Sequence, residues 1–66
     1  MIDEVTGVYN IIKEMCKYNK TSGVDMNAVE KRVINRGFSM QTFRDTVKHY
    51  ENMDILMVKN GNIIIV

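Results

Sequence analysis

A chain of 66 residues is expected to fold as one domain with a small core, since such a domain buries only about 60% of its unfolded surface. A hydrophobic content of 45% and the absence of proline favour a compact fold over a disordered segment. No apolar run approaches the roughly 20 residues of a membrane span, and the acidic start at Asp3 and Glu4 argues against a secretory signal. The net charge of +1 provides no general attraction to nucleic acid, so any DNA contact must be local.

The first predicted element is a helix that Asp3 can cap. Apolar residues recur along it at the helical period and predict an inward stripe of Val5, Val8, Ile12 and Met15. Three lysines lie along another face near its C-terminal end: Lys13, Lys17 and Lys20. A face of this kind is usually only solvated, and the alternative is a surface for an acidic partner or for phosphates.

A short strand and a second helix are predicted next. Residues 23–25 are long enough only for a one-bridge strand pairing with a later hairpin. Asn27 followed three residues later by Glu30 predicts a capping box, which would open a helix that continues to about Arg36. Val29 and Val33 would then face inward.

A helix-turn-helix corner is predicted from Arg36 to Ser39. Gly37 can adopt a positive φ just after a helix, and Phe38 would fill the corner. Ser39 is a good N-cap for a further helix that begins at Met40. The order helix, tight corner, helix is the one found in helix-turn-helix motifs.

The helix after the corner has two distinct faces. One face is predicted to be inward and holds Met40, Phe43, Val47 and Tyr50, and the opposite face holds Gln41, Asp45, Lys48 and Asn52. From Met40 to Met53 the formal charges cancel, with Arg44 and Lys48 against Asp45 and Glu51. A helix that enters a major groove normally needs positive charge to offset the phosphates, so this helix is poorly suited to reading DNA.

A β-hairpin, or wing, is predicted around Asn60-Gly61, the sequence typical of a type I′ turn. A two-residue turn there pairs Lys59 with Asn62, Val58 with Ile63, Met57 with Ile64 and Leu56 with Ile65. One face would then hold Leu56, Val58, Ile63 and Ile65, and the other Met57, Ile64 and Val66. Because both faces are apolar, the second is expected to meet a partner, and Met57 and Ile64 to be substantially exposed in the isolated domain.

Together these elements predict a winged helix of the α+β class: a single domain over residues 1–66 with three helices, a helix-turn-helix corner and a small antiparallel hairpin. The residues predict no catalytic, cofactor or metal site. Cys16 and His49 lie on different helices without a third group to orient them, and Cys16 is expected to be a buried, inert thiol. We therefore do not expect this chain itself to be an enzyme.

The region from Asn27 to Val66 resembles the C-terminal winged-helix domain of the seventh subunit of the eukaryotic minichromosome maintenance (MCM) replicative helicase. The resemblance rests on the corner Arg36-Gly37-Phe38, on the aromatic Phe43 that follows it, and on the pair Tyr50-Glu51 that leads into the wing. In that family the protein ends on its last wing strand, as this chain ends at Val66. The first helix matches only in pattern.

The resemblance implies that the chain is the C-terminal part of an ATP-dependent DNA helicase subunit of the AAA+ class. The parent would work in a nuclear heterohexamer with other MCM subunits and would bind ATP and Mg²⁺ in a motor outside this chain. Winged helices of this family are implied to serve in loading the hexamer at origins, through the origin recognition complex and its loading ATPase.

Two functions remain open at this point. The first is a protein-interaction module of a helicase subunit; its candidate partner surface consists of Met57, Ile64, Val66, Lys13, Lys17 and Lys20. The second is a small sequence-specific DNA-binding transcription regulator. Its candidate contacts, which would be weak in an interaction module, are Gln41, Thr42, Arg44, Lys48 and Lys59. The neutral third helix and the single cation of the wing favour the first.

Overall fold

The computed structural model describes residues 3–17 and 22–66. Within these ranges the chain forms three helices and a three-stranded antiparallel sheet. The elements are α1 (Glu4–Cys16), β1 (Val24–Asp25), α2 (Met26–Asn35), α3 (Met40–Asn52), β2 (Leu56–Lys59) and β3 (Asn62–Ile65). This arrangement confirms the predicted winged helix.

The sheet has the strand order β1-β3-β2, so the last strand lies in the middle. The four predicted hairpin pairs, from Lys59↔Asn62 to Leu56↔Ile65, are all present. Asn60 and Gly61 have φ values of 53° and 78°, as a type I′ turn requires. The short strand β1 pairs with β3 through two residue pairs, one more than predicted.

Side-chain caps begin α1 and α3 where the sequence predicts them. The Asp3 carboxylate accepts a hydrogen bond from the amide of Val5 at 3.2 Å. The Ser39 hydroxyl accepts one from the amide of Thr42 at 3.1 Å. Each contact satisfies an amide that has no partner within its own helix.

The predicted capping box of Asn27 and Glu30 is wrong. Helix α2 already begins at Met26, and Asp25 occupies the N-cap position without a side-chain hydrogen bond. The amide of Met26 instead donates to the carbonyl oxygen of Gly61 in the wing turn at 2.9 Å. Pairing between β1 and the hairpin therefore sets the start of this helix.

The corner after α2 is closed by a residue in the left-handed backbone conformation, as predicted. Gly37 has a φ of 98°, and its amide donates to the carbonyl of Ile34 at 3.0 Å. The amide of Phe38 reaches the carbonyl of Val33 at 3.3 Å. These two bonds form a Schellman motif, which satisfies carbonyls at the end of the helix.

The end of α3 repeats this motif without a glycine. Asp54 has a φ of 59°, and its amide donates to the carbonyl of Glu51 at 3.1 Å. The amide of Ile55 donates to the carbonyl of Tyr50 at 3.0 Å. Aspartate tolerates the left-handed region better than most residues, although less well than glycine.

The core lies where the three helices meet the sheet. Its buried side chains are Val8, Ile11, Ile12, Cys16, Val29, Val33, Phe43, Val47, Leu56 and Ile63. Thr46 is also buried, and its hydroxyl donates to the carbonyl of Thr42 at 2.7 Å. Met40 is 43% exposed, so its predicted inward position is wrong: α3 buries its second and third turns, and Met40 is its first residue.

Candidate interaction and nucleic-acid surfaces

The outer face of α3 is where a DNA-reading winged helix holds its base contacts. Gln41, Asp45, Lys48 and Asn52 are all exposed on this face, as predicted. The side-chain amide of Gln41 donates to the carboxylate of Asp45 at 2.9 Å. The face therefore presents a carboxylate that repels phosphates, and part of the hydrogen-bonding capacity of Gln41 is already used.

Of the other candidate DNA contacts, one side chain is already hydrogen-bonded within the chain and the rest are exposed. Thr42 is half-buried, and its hydroxyl lies 2.9 Å from that of Ser39 at the start of the helix. Arg44 and Lys48 are exposed one helical turn apart. Lys59 is exposed beside the wing turn, on a different element. Only the two cations of α3 thus form a local pair.

The prediction that Met57 and Ile64 are both substantially exposed on the second face of the wing is wrong for Ile64. Met57 is 44% exposed and Val66 is 74% exposed. Ile64 is half-buried, because β3 is central and the residue before β1 packs against it. A Cβ built on Gly23 would lie 2.6 Å from the Cγ1 of Ile64. Met57 and Val66 are therefore the more accessible parts of this candidate surface.

The lysine face of α1 adjoins the end of the sheet. Lys13 and Lys17 are exposed and line a cavity of about 600 Å³ together with Glu14, Ile65 and Val66. Lys20 lies outside the described residues. The structure thus brings two of the predicted lysines close to the apolar C-terminal strand, a proximity that helical spacing alone could not indicate.

A groove that the sequence does not predict lies between α2, α3 and β2. It has a volume of about 550 Å³, within the range of ligand-binding pockets. It is lined by Met26, Asn27, Glu30, Phe43, Arg44, Val47, Lys48, Glu51 and Val58. No local signal marks this groove, because its residues come from three elements that only the tertiary fold brings together.

Cys16 and His49 form no site with each other. Cys16 is buried, its thiol donates to the carbonyl of Ile63 at 3.6 Å, and desolvation raises the pKa of the thiol. His49 is exposed and lies edge-on to the ring of Tyr50, with 5.2 Å between the centroids.

In the described ranges 3–17 and 22–66, no group of three His, Cys, Asp or Glu residues could hold a metal ion. No helix in those ranges is long and apolar enough to span a membrane.

A family model described as the winged helix of the DNA replication licensing factor MCM7 matches residues 6–66. The chain belongs to this family. Searches of curated proteins and of solved structures found no match.

Membership in the MCM7 winged-helix family extends the resemblance drawn from the sequence. The match begins within α1, whereas the sequence motifs covered well only the region after Asn27. The first helix thus belongs to the same domain as the corner and the wing. The chain is a winged-helix domain of a family that acts in DNA replication.

Proposed function

We propose that the chain is a protein-interaction module of a replicative helicase subunit and acts in loading the hexamer at origins. Its direct partners are other MCM subunits, the origin recognition complex and the loading factors, in the nucleus. The domain itself carries out no catalysis. ATP hydrolysis, Mg²⁺ binding and DNA unwinding belong to an AAA+ motor in the rest of the subunit.

The observation that carries the proposal is the outer face of α3. A helix that reads DNA needs positive charge and free polar side chains. Here the charges from Met40 to Met53 cancel, and the Gln41 amide is held by the Asp45 carboxylate at 2.9 Å. A neutral face of this kind is compatible with a domain that contacts DNA weakly or only through its parent complex.

The partner surface is proposed to include the exposed part of the wing. Met57 and Val66 expose apolar surface, and such surface is typical of contacts that are covered in an assembly. Lys13 and Lys17 lie beside Val66 at the cavity that these residues share, where Glu14 offsets part of their positive charge. Lys20 and Ile64 complete the proposed surface, the latter with less accessible area.

A reconstituted loading assay tests the proposal. The full-length subunit carries Met57→Gln together with Val66→Thr, and the matched control carries Ile34→Gln, an exposed apolar residue on α2. Both variants of the 66-residue chain should melt close to the parent, since surface substitutions usually change stability by less than about 0.5 kcal/mol. We expect the wing variant alone to reduce hexamer loading. Normal loading by the wing variant would contradict this surface.

A sequence-specific DNA-binding regulator is the alternative function. Exposed Arg44 and Lys48, one turn apart on α3, are the observation in its favour. They are opposed by Asp45 and Glu51 on the same helix, and Thr42 is engaged at the helix start. The wing adds only Lys59 beside its turn. This alternative requires tight, sequence-dependent DNA binding.

A further inference from the structure

The groove between α2, α3 and β2 has an apolar floor. Phe43 and Val47 come from α3, Val58 from β2 and Met26 from the start of α2. Phe43 is only 1% exposed, so its ring already belongs to the core, whereas Met26 and Val58 remain half-buried. An apolar side chain of a partner could rest on this floor without disturbing the packing beneath it.

The rim of the groove carries a definite order of charges. Along α3 the groove is lined by Arg44, Lys48 and Glu51, and Glu30 faces it from α2. The α3 residues are four and three positions apart, so they form one stripe that is positive for two turns and then negative. Within the described residues, none of these four side chains has an ion-pair partner. Their charges are therefore available to a ligand.

We propose that this groove binds an amphipathic helical segment of a partner protein. The segment would place apolar side chains on the floor, two acidic residues one turn apart opposite Arg44 and Lys48, and a basic residue near Glu51. This inference rests on the proposed function, because its partner is another helicase subunit or a loading factor. It adds a second contact surface, separate from Met57 and Val66.

Charge and geometry favour this occupant over two others. A nucleic acid would bring phosphates against Glu30 and Glu51, which repel them. An extended peptide added to the edge strand β2 would take its affinity from backbone hydrogen bonds to that strand, and such pairing makes no use of the charged rim on α2 and α3. A helix needs no backbone hydrogen bonds from the groove, and its side chains at positions i, i+3, i+4 and i+7 match an apolar floor with charged rims.

The test has two arms. The first measures binding of the 66-residue chain to each purified helicase subunit and loading complex, by calorimetry. The second titrates the chain into labelled peptides of about 20 residues that tile any partner found, each long enough for a helix of about 30 Å. Both arms compare the parent with Arg44→Glu/Lys48→Glu. Lys31→Glu/Arg32→Glu is the control, an equal charge reversal on exposed residues of α2 that do not line the groove.

We expect one peptide to bind the parent chain. The Arg44→Glu/Lys48→Glu variant, or groove variant, should weaken this binding by about tenfold or more, because attraction becomes repulsion at two positions. The control variant should change the affinity little. Replacing two acids of that peptide with lysine should restore binding to the groove variant. Equal losses in the groove and control variants, or a partner that binds while none of its peptides does, would overturn the groove inference and leave the proposed function standing. If no subunit or loading complex binds, both fail.

Discussion

The ring of Phe38 lies directly on the backbone of α1 at Gly7: a Cβ built on Gly7 would be 2.9 Å from the Phe38 Cζ. The helix-turn-helix corner thus rests on the first helix through a ring and a glycine. Phe38 also packs against the core cluster, and its amide closes the end of α2. This contact fixes the position of the corner relative to α1.

The contact predicts that the effect of Gly7→Ala on stability depends on the Phe38 side chain. Alanine is favoured over glycine inside a helix by about 1 kcal/mol, but here its methyl group would displace the Phe38 ring. We expect little or no gain in the free energy of unfolding for Gly7→Ala alone, and a larger gain when it is made in a Phe38→Ala background. A double-mutant cycle from urea denaturation measures the difference. Equal gains in both backgrounds would show that the ring does not constrain this position.

Phe43 is predicted to be the most sensitive core residue of α3. Its ring is 1% exposed, and Phe43→Ala should lower the free energy of unfolding by about 3 to 5 kcal/mol. That is a large share of what a domain of this size can have, so the variant should be largely unfolded. Met40→Ala on the same helix is the control, and its melt should stay close to the parent's. Superimposable melts for Phe43→Ala and the parent would show that the core is assigned wrongly.

α2 and α3 are each followed by a residue with a positive φ, and substitutions at these two residues are predicted to change stability in opposite directions. Gly37→Val should be strongly destabilising, since a β-branched residue resists the φ of 98° even though no atom lies within 4 Å of the added Cβ. Asp54→Gly should instead stabilise the chain by about 0.5 to 1 kcal/mol, because glycine adopts the left-handed region without steric cost. Thermal melts of both variants provide the measurement. A stabilising Gly37→Val, or a clearly destabilising Asp54→Gly, would contradict the backbone assignment.

Burial of Cys16 predicts a loss of stability at alkaline pH. Desolvation raises the pKa of the thiol in the folded chain, so the folded state resists forming the thiolate. The resulting stabilisation is fully present below the unfolded pKa of about 8.5 and is lost as pH rises through the folded value. The free energy of unfolding should therefore fall more between about pH 8 and pH 10 for the parent than for Cys16→Ala. Parallel pH profiles would indicate that the thiol titrates normally in the fold.

The features that the sequence could predict are those fixed by local chemistry. Asn60-Gly61 fixes a two-residue turn, and that turn alone determines the register of the four pairs from Lys59↔Asn62 to Leu56↔Ile65. Gly37 and Ser39 likewise define the corner through the backbone angles and the cap that they favour. For such features, residues close together in the sequence account for most of the free-energy preference for the observed backbone conformation.

The features that the sequence could not predict depend on contacts between distant segments. The start of α2 is set by the Met26 amide and the Gly61 carbonyl, which no spacing between Asn27 and Glu30 could indicate. The partial burial of Ile64 depends on its contact with Gly23 across the sheet. The groove beside α3 could not be predicted for the same reason, since Glu30, Lys48 and Val58 lie on three separate elements.

A DNA titration tests the central claim most directly. With no net charge from Met40 to Met53, we expect the 66-residue chain to bind duplex DNA no more tightly than the nonspecific range of about 10⁻⁴ to 10⁻⁶ M at physiological salt. Lys48→Glu should then change the affinity only slightly, and different duplex sequences should bind alike. The measurement is a fluorescence titration at physiological salt against random and origin-derived duplexes. A nanomolar, sequence-dependent complex that Lys48→Glu abolishes would contradict the interaction module and identify α3 as a DNA-reading helix.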